Sequence, residues 1–174
     1  MGVWGINNYQ PRWCNTSDEL SKLLIQTSLI GLQISSSWSL WAGEEDEWFN
    51  DAPVVICTET AQFEFCANKS EEFSFSLDSI DLGVPVYWCA DSDTDLQPFY
   101  WVRSRNIEFN GLVGKSIAGV EIIESEHIQP DLTGITLKFE NDRLEILNGL
   151  DCNLLSRTQH PWEGLRYTLV ESKV

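Results

Sequence analysis

The sequence predicts an α+β fold that is mainly β, with antiparallel sheet and one N-terminal helix. Three observations carry that prediction. Apolar residues recur with a period of two along most of the 174-residue chain. One stretch alone, opening at Thr16, combines helical spacing with a capping signal. A hairpin-like pattern also occurs twice, 81 positions apart, at residues 54–68 and 135–149. Hydrophobic residues make up 43% of the chain, including 8 Trp and 8 Phe, which is enough apolar material for one packed core over residues 1–174.

In the helix, Thr16-Ser17-Asp18-Glu19 forms a capping box, and Leu20, Leu23 and Leu24 then share one face, with Ile30-Gly31 marking the end. Beyond it the period becomes two. Ile30, Leu32 and Ile34 alternate, as do Trp38 and Leu40. Strands are predicted at Val54–Ile56 and Phe63–Phe65, and at Phe73–Leu77, where Ser74 and Ser76 mark a wetter face. Val84–Trp88, Phe99–Val102, Val120–Ile123, Ile135–Phe139, Leu144–Leu147 and Tyr167–Val170 complete the set of about ten.

The repeat aligns without a gap: Val54 meets Ile135, Ile56 meets Leu137, Phe63 meets Leu144, Glu64 meets Glu145 and Phe65 meets Ile146. Upstream, Ile30–Ile34 resembles Val113–Ile117 at an offset of 83. These matches define pseudo-repeats over 29–80 and 112–156, joined by a segment at 85–110 and packed about a pseudo-twofold axis as one unit. The competing explanation is that any two hairpins share apolar alternation.

Charge narrows the function. Lys and Arg number 11 against 27 Asp and Glu, a formal net charge of −16, which repels phosphates and argues against nucleic acid or an anionic membrane as partner. No run approaches the roughly 18 uncharged apolar residues of a membrane span. The N-terminus lacks the charged and apolar regions of a secretory signal. Five widely spaced cysteines, Cys14, Cys57, Cys66, Cys89 and Cys152, with no CxxC, read as reduced thiols. The expected location is the cytoplasm.

Chemical motifs are weak, and no cofactor or metal is expected. His127 follows Glu124-Ser125-Glu126 on a loop, and His160 precedes Pro161 in a turn. Cys152 and His160 lack a third, orienting group for nucleophilic catalysis. Asp91-Ser92-Asp93-Thr94-Asp95 opens like a calcium loop, but Leu96 stands where the turn needs glycine and Val102 where a bidentate glutamate belongs. Gly111 to Ser116 ends in Gly-Lys-Ser, yet two residues rather than four separate its glycines, so it reads as a strand start. Any catalytic pair of carboxylates is hidden among so many acids.

What stands out is acid set among aromatics. Trp41, Glu44, Glu45, Asp46, Glu47 and Trp48 form one such cluster, and Asp91, Asp93 and Asp95, followed by Phe99-Tyr100-Trp101, form another. Aromatic anchors supply contact energy, and a surrounding negative field speeds the approach of a basic protein. In size, acidity, strand content and want of a catalytic signature, the chain resembles the immunity proteins of bacterial polymorphic-toxin and contact-dependent-inhibition systems. That resemblance implies a cytosolic, non-enzymatic protein, monomer or homodimer, that occludes a basic and nuclease-like toxin. Two other readings stay open: a carboxylate-dependent enzyme or binder acting on carbohydrate, and a structural self-assembly module.

Overall fold

A computed structural model describes residues 5–43, 46–68, 72–89, 96–127 and 132–170. The fold is mostly antiparallel β, in two sheets, with one α-helix among the described residues. Strand β1 (Arg12–Cys14) is followed by helix α1 (Ser17–Thr27), β2 (Ile34–Ala42), β3 (Val54–Thr58), β4 (Gln62–Asn68), β5 (Glu72–Leu77), β6 (Val86–Cys89) and β7 (Leu96–Arg103). A 3₁₀ turn at Ile107–Phe109 leads to β8 (Gly119–Ser125), β9 (Leu132–Phe139), β10 (Asp142–Asn148), β11 (Asn153–Ser156) and β12 (Leu165–Leu169). The first sheet runs β1-β5-β4-β3-β2-β7-β6 and the second β11-β10-β9-β8-β12.

Helix α1 starts as its capping residues dictate. The Thr16 side chain accepts from the Glu19 N–H, while Glu19 reaches back to the Asn15 N–H at 3.0 Å rather than to that of Thr16. Leu20 and Leu24 are buried, and the helix ends at Ser28 in the left-handed region, before the expected Ile30-Gly31. Residues 30 and 31 form a turn, so the strand expected from Ile30 begins instead at Ile34, after an isolated bridge at Gln33. The strand expected at Val84 begins at Val86, because Ser79 to Pro85 crosses the sheet rather than joining it. Strands β1 and β11, absent from the expectation, add an edge to each sheet.

The two sheets pack face to face. Val54, Ile56, Phe63, Phe65, Phe73 and Phe75 meet Val120, Ile122, Ile135, Leu137, Leu144 and Ile146 in one core, with Leu20 and Leu24 of α1. Strand alternation turns Val55, Leu40, Val86, Phe99 and Trp101 to the other face of the first sheet, where Ile6, Tyr9 and Ile80 cover them as a second core.

The aligned hairpins share one register. Val54 pairs with Phe65, Val55 with Glu64 and Ile56 with Phe63; at the aligned positions Ile135 pairs with Ile146, Thr136 with Glu145 and Leu137 with Leu144. The next strand places Ser76 opposite Glu64 and Ser156 opposite Glu145. Strands β7 and β12 occupy matching places, antiparallel to β2 and β8. The two glycine-led segments pair with each other. Gly31 N–H donates to Ile117 O and Gly114 N–H to Ile34 O, both at 2.8 Å; Ile34 N–H donates to Lys115 O and Ile117 N–H to Leu32 O, both at 2.9 Å. Exchanging each residue for its counterpart 83 positions away returns the same four bonds, as a local twofold axis requires. Both glycines need the left-handed region, with φ of 91° at Gly31 and 86° at Gly114.

Each half closes with an eight-residue crossover laid on the outer face of its sheet, residues 78–85 and 157–164. The second crosses about 19 Å of sheet width, four strand spacings of ~4.8 Å, and about 14 Å of strand length, because Ser156 lies level with Leu169, four residues from Leu165; that is too far for eight residues coiled as a helix, so it runs extended. Its backbone groups need partners over a sheet, and a buried glutamate meets that need in both halves. Glu64, 0% exposed, accepts from Ser79 N–H, Ile80 N–H and Gln62 Nε2, each at 2.8 Å, and from the hydroxyls of Ser76 and Ser79. Glu145, also 0% exposed, accepts from His160 N–H at 3.0 Å, and Arg143 lies 3.0 Å from its other oxygen.

Two substitutions test this arrangement. Glu64→Gln turns an amide N–H₂ against five donors and is expected to destabilise the fold by roughly 1–3 kcal/mol. Glu145→Gln, with one backbone donor at stake, is expected to cost less. Urea unfolding of both variants measures the order, and an equal or reversed order contradicts the assignment.

Candidate functional site

The first sheet is wider than the second, which packs on it through β4 and β5. Strands β7 and β6 extend beyond that contact and expose aromatic residues. Tyr87 lies opposite Pro98, and Tyr100 opposite Trp41. Phe99 and Trp101 point into the second core, so Pro98 and Tyr100 share the other face with Tyr87 and Trp41. Tyr87 is 54% exposed and Tyr100 47%, while Trp41 is half-buried.

The first acidic cluster sits at the end of β2. Trp41 and Trp48 form an antiparallel bridge, closed by Ala42 N–H to Glu47 O at 2.9 Å and Phe49 N–H to Leu40 O at 2.8 Å. Asp46, at φ 56°, pairs with Arg105, whose guanidinium lies 4.5 Å from the centre of the Trp41 ring. The Trp41 indole N–H donates to Ser39 Oγ at 2.9 Å. Trp48 packs against the main core, which makes it a brace for the turn rather than an exposed anchor. Asp46 and Glu47 are exposed. Glu44, Glu45, Asp91, Asp93 and Asp95 lie outside the described residues, and with them the calcium-like loop.

Strand order nevertheless brings the two acidic segments' anchor points together. Ala42 pairs with Phe99, and Gly43 N–H donates to Pro98 O at 3.2 Å; Cys89 and Leu96, which bound the second segment, pair at the same end of β7. A side chain at Gly43 would meet the Tyr100 ring at 2.9 Å, so glycine lets the turn close under that ring. Sequence reasoning missed Tyr87 and Arg105. The alternation of Val86 and Tyr87 was the signal for Tyr87, whereas nothing local joins Arg105 to Asp46, 59 positions away.

A second polar cluster surrounds Glu145. Arg143 bridges Glu145 and Glu121, the latter at 3.3 Å, and lies over the Tyr167 ring; the His160 and Trp162 rings are 4.2 Å apart. Arg143 Nε, Glu145 Oε1, His160 Nδ1 and the Tyr167 hydroxyl are buried and make no aligned hydrogen bond with the described residues. Burial raises the Glu145 carboxyl above its ordinary value, against the pull of His160 N–H, Arg143 and the nearby Tyr167 hydroxyl. Burial and the Glu145 charge likewise raise the Tyr167 phenol.

The four thiols described, Cys14, Cys57, Cys66 and Cys152, are all shifted away from the reactive thiolate form. Burial pushes Cys14 up to about 11, raises Cys57 and Cys152, and raises the fully buried Cys66 furthest. Cys152 rests on Gly149 O at 3.5 Å, while His160 is held at Glu145 by its backbone. His127 packs on Gly164, where a side chain would meet its ring at 2.5 Å. Lys115 of the Gly-Lys-Ser segment pairs with Asp142. Among the described residues no group of three His, Cys, Asp or Glu side chains is placed to hold a metal ion, and no helix is long and apolar enough to cross a membrane. No protein-family model, curated protein or solved structure matches the chain.

The raised Glu145 carboxyl has a signed consequence for stability. The folded state keeps this proton to higher pH than the unfolded chain, so Glu145 weakens folding as pH rises through and above the ordinary carboxylate range. In that window, stability of Glu145→Gln should fall less with rising pH than that of the parent, as measured by urea midpoints across pH. Parallel profiles would contradict it.

Proposed function

We propose that the protein is a non-enzymatic binder of a basic protein, and that it works by occlusion, as an immunity protein neutralises a nuclease-like toxin. One observation carries the reading. The Ala42–Phe99 pairing gathers the ends of both acid-bearing segments at one end of the first sheet, beside exposed Tyr87 and Tyr100. Large aromatic faces with little side-chain entropy to lose make efficient contact anchors, and a negative surround accelerates encounter with a positive partner. A net charge of −16 supports that choice of partner sign. Arg105 refines the picture, because it neutralises Asp46 and lies over Trp41; the anchors are therefore Tyr87 and Tyr100, with Trp41 as their support.

Capture from lysate on the immobilised protein, washed at low and high salt, tests the reading. One dominant basic protein is expected, with binding that weakens as salt rises. A Tyr87→Ala/Tyr100→Ala variant should lose at least about tenfold in affinity for it, equivalent to more than ~1.4 kcal/mol, with its thermal midpoint retained. Capture of no basic protein, or undiminished capture by the double variant, would overturn it.

A further inference from the structure

The matching halves differ at their edges. In the first, β6 adds to the outer side of β7 and β1 to the outer side of β5. In the second, the outer side of β11 meets the 50s loop through Asn153 N–H to Asn50 O at 2.8 Å. Strand β12, the counterpart of β7, pairs with β8 alone among the described residues. It is also the longest of the edge strands β1, β6, β11 and β12.

The direction of its free groups follows from the ladder. Val170 N–H donates to Val120 O and Glu126 N–H to Gly164 O, both at 2.8 Å, and both pairs continue the β8–β12 register. Hydrogen-bonded pairs alternate in an antiparallel ladder, so Arg166 and Thr168 face β8. Leu165, Tyr167 and Leu169 therefore direct their N–H and C=O groups outward. No proline, lysine or bulge blunts this edge, and Leu169 is 56% exposed.

Grooves flank the edge on both faces. On the outer face, Trp162, Leu165, Thr133 and His127 line a cavity of about 290 Å³. On the helix side, Leu24, Ile25, Leu29, Ile30, Val120 and Val170 line one of about 240 Å³. An added strand directs successive side chains to alternate faces and so reaches both. The neighbouring charge is negative: Arg166 is taken up by Glu124 at 2.9 Å, leaving exposed Glu126 and Glu163 at the start of the strand.

We infer that β12 is a docking edge that accepts an extended segment of a partner protein as an added antiparallel or parallel strand, the segment carrying lysine or arginine among apolar residues. Main-chain bonds to Leu165, Tyr167 and Leu169 give affinity, and the two grooves give side-chain preference. A second copy of this chain is the poorer occupant, because it would bring another −16 charges to the same edge. The inference concerns a different surface from Tyr87 and Tyr100 and does not rest on the inhibitor reading.

The test uses the full chain, isotope-labelled, with a blocked peptide alternating lysine and valine. Amides of Leu165, Tyr167 and Leu169 should shift and exchange at least about tenfold more slowly with the peptide bound. A glutamate–valine peptide, and a lysine–valine peptide N-methylated on its ladder-facing amides, should leave them unchanged. Leu169→Pro removes one outward donor and should weaken the response; the N-methylated peptide supplies the same control if that variant fails to fold. Shifts confined to another edge, an equal response to the glutamate peptide, or no response would overturn the inference. So would protection of these amides that rises with protein concentration alone, which would make a second copy the occupant.

Discussion

A carboxylate buried on the outer face of each sheet lets irregular chain lie flat across it. A crossover without its own secondary structure carries backbone N–H groups that water can no longer reach, and each one left unpaired costs about as much as a lost hydrogen bond. Glu64 and Glu145 answer this at the same register position, each on the strand next to the one that leads into the crossover. The acid is costly to bury alone, and donors from crossover and sheet offset that cost. The rest follows: with the crossover anchored, the chain of each half reaches the far side of its own first strand, where β12 pairs directly with β8, while in the first half β6 comes first and β7 then fills the place between it and β2.

The two halves answer the same problem with different completeness. At Glu64 the carboxylate is ringed by donors, and Ser76 points at it. At Glu145 the matching Ser156 hydroxyl donates instead to Thr158 O at 2.6 Å, inside the crossover, and Arg143 provides a charge where the first half has hydroxyls. That exchange leaves Tyr167, His160 and one carboxylate oxygen short of aligned partners. The first half is also the more elaborated, with a strand added at each edge and a second core beneath its crossover. Those additions widen the first sheet beyond its partner and so create the overhang on which Tyr87 and Tyr100 are exposed.

Much of this was readable from residue pattern. The hairpins were legible because apolar residues alternate with polar ones, as in Phe63-Glu64-Phe65 and Leu144-Glu145-Ile146, and the matched Glu64 and Glu145 stood out as acids between apolar residues. The glycine-led segments were legible for their glycines, though as parallel equivalents; that they bond to each other is a long-range fact with no local trace. Strand β11 was missed because Leu154 and Leu155 are both half-buried, which erases the period of two. Strand β1, three residues long, is too short to show a period. At the candidate site the acids and tryptophans were visible, but composition could not show that Trp48 would turn into the core or that Arg105 would return to cover Trp41.

Native-state hydrogen exchange at the Ile80 and His160 amides tests the latch most directly. Both sit in crossovers with no ladder of their own, so only the glutamates can protect them. The account predicts that both exchange far more slowly than the exposed turn amides at Glu59 and Glu140, with Ile80 the slower of the two. Exchange of Ile80 or His160 at the rate of those turns would mean that the crossovers are not held by the buried carboxylates, and would contradict the account.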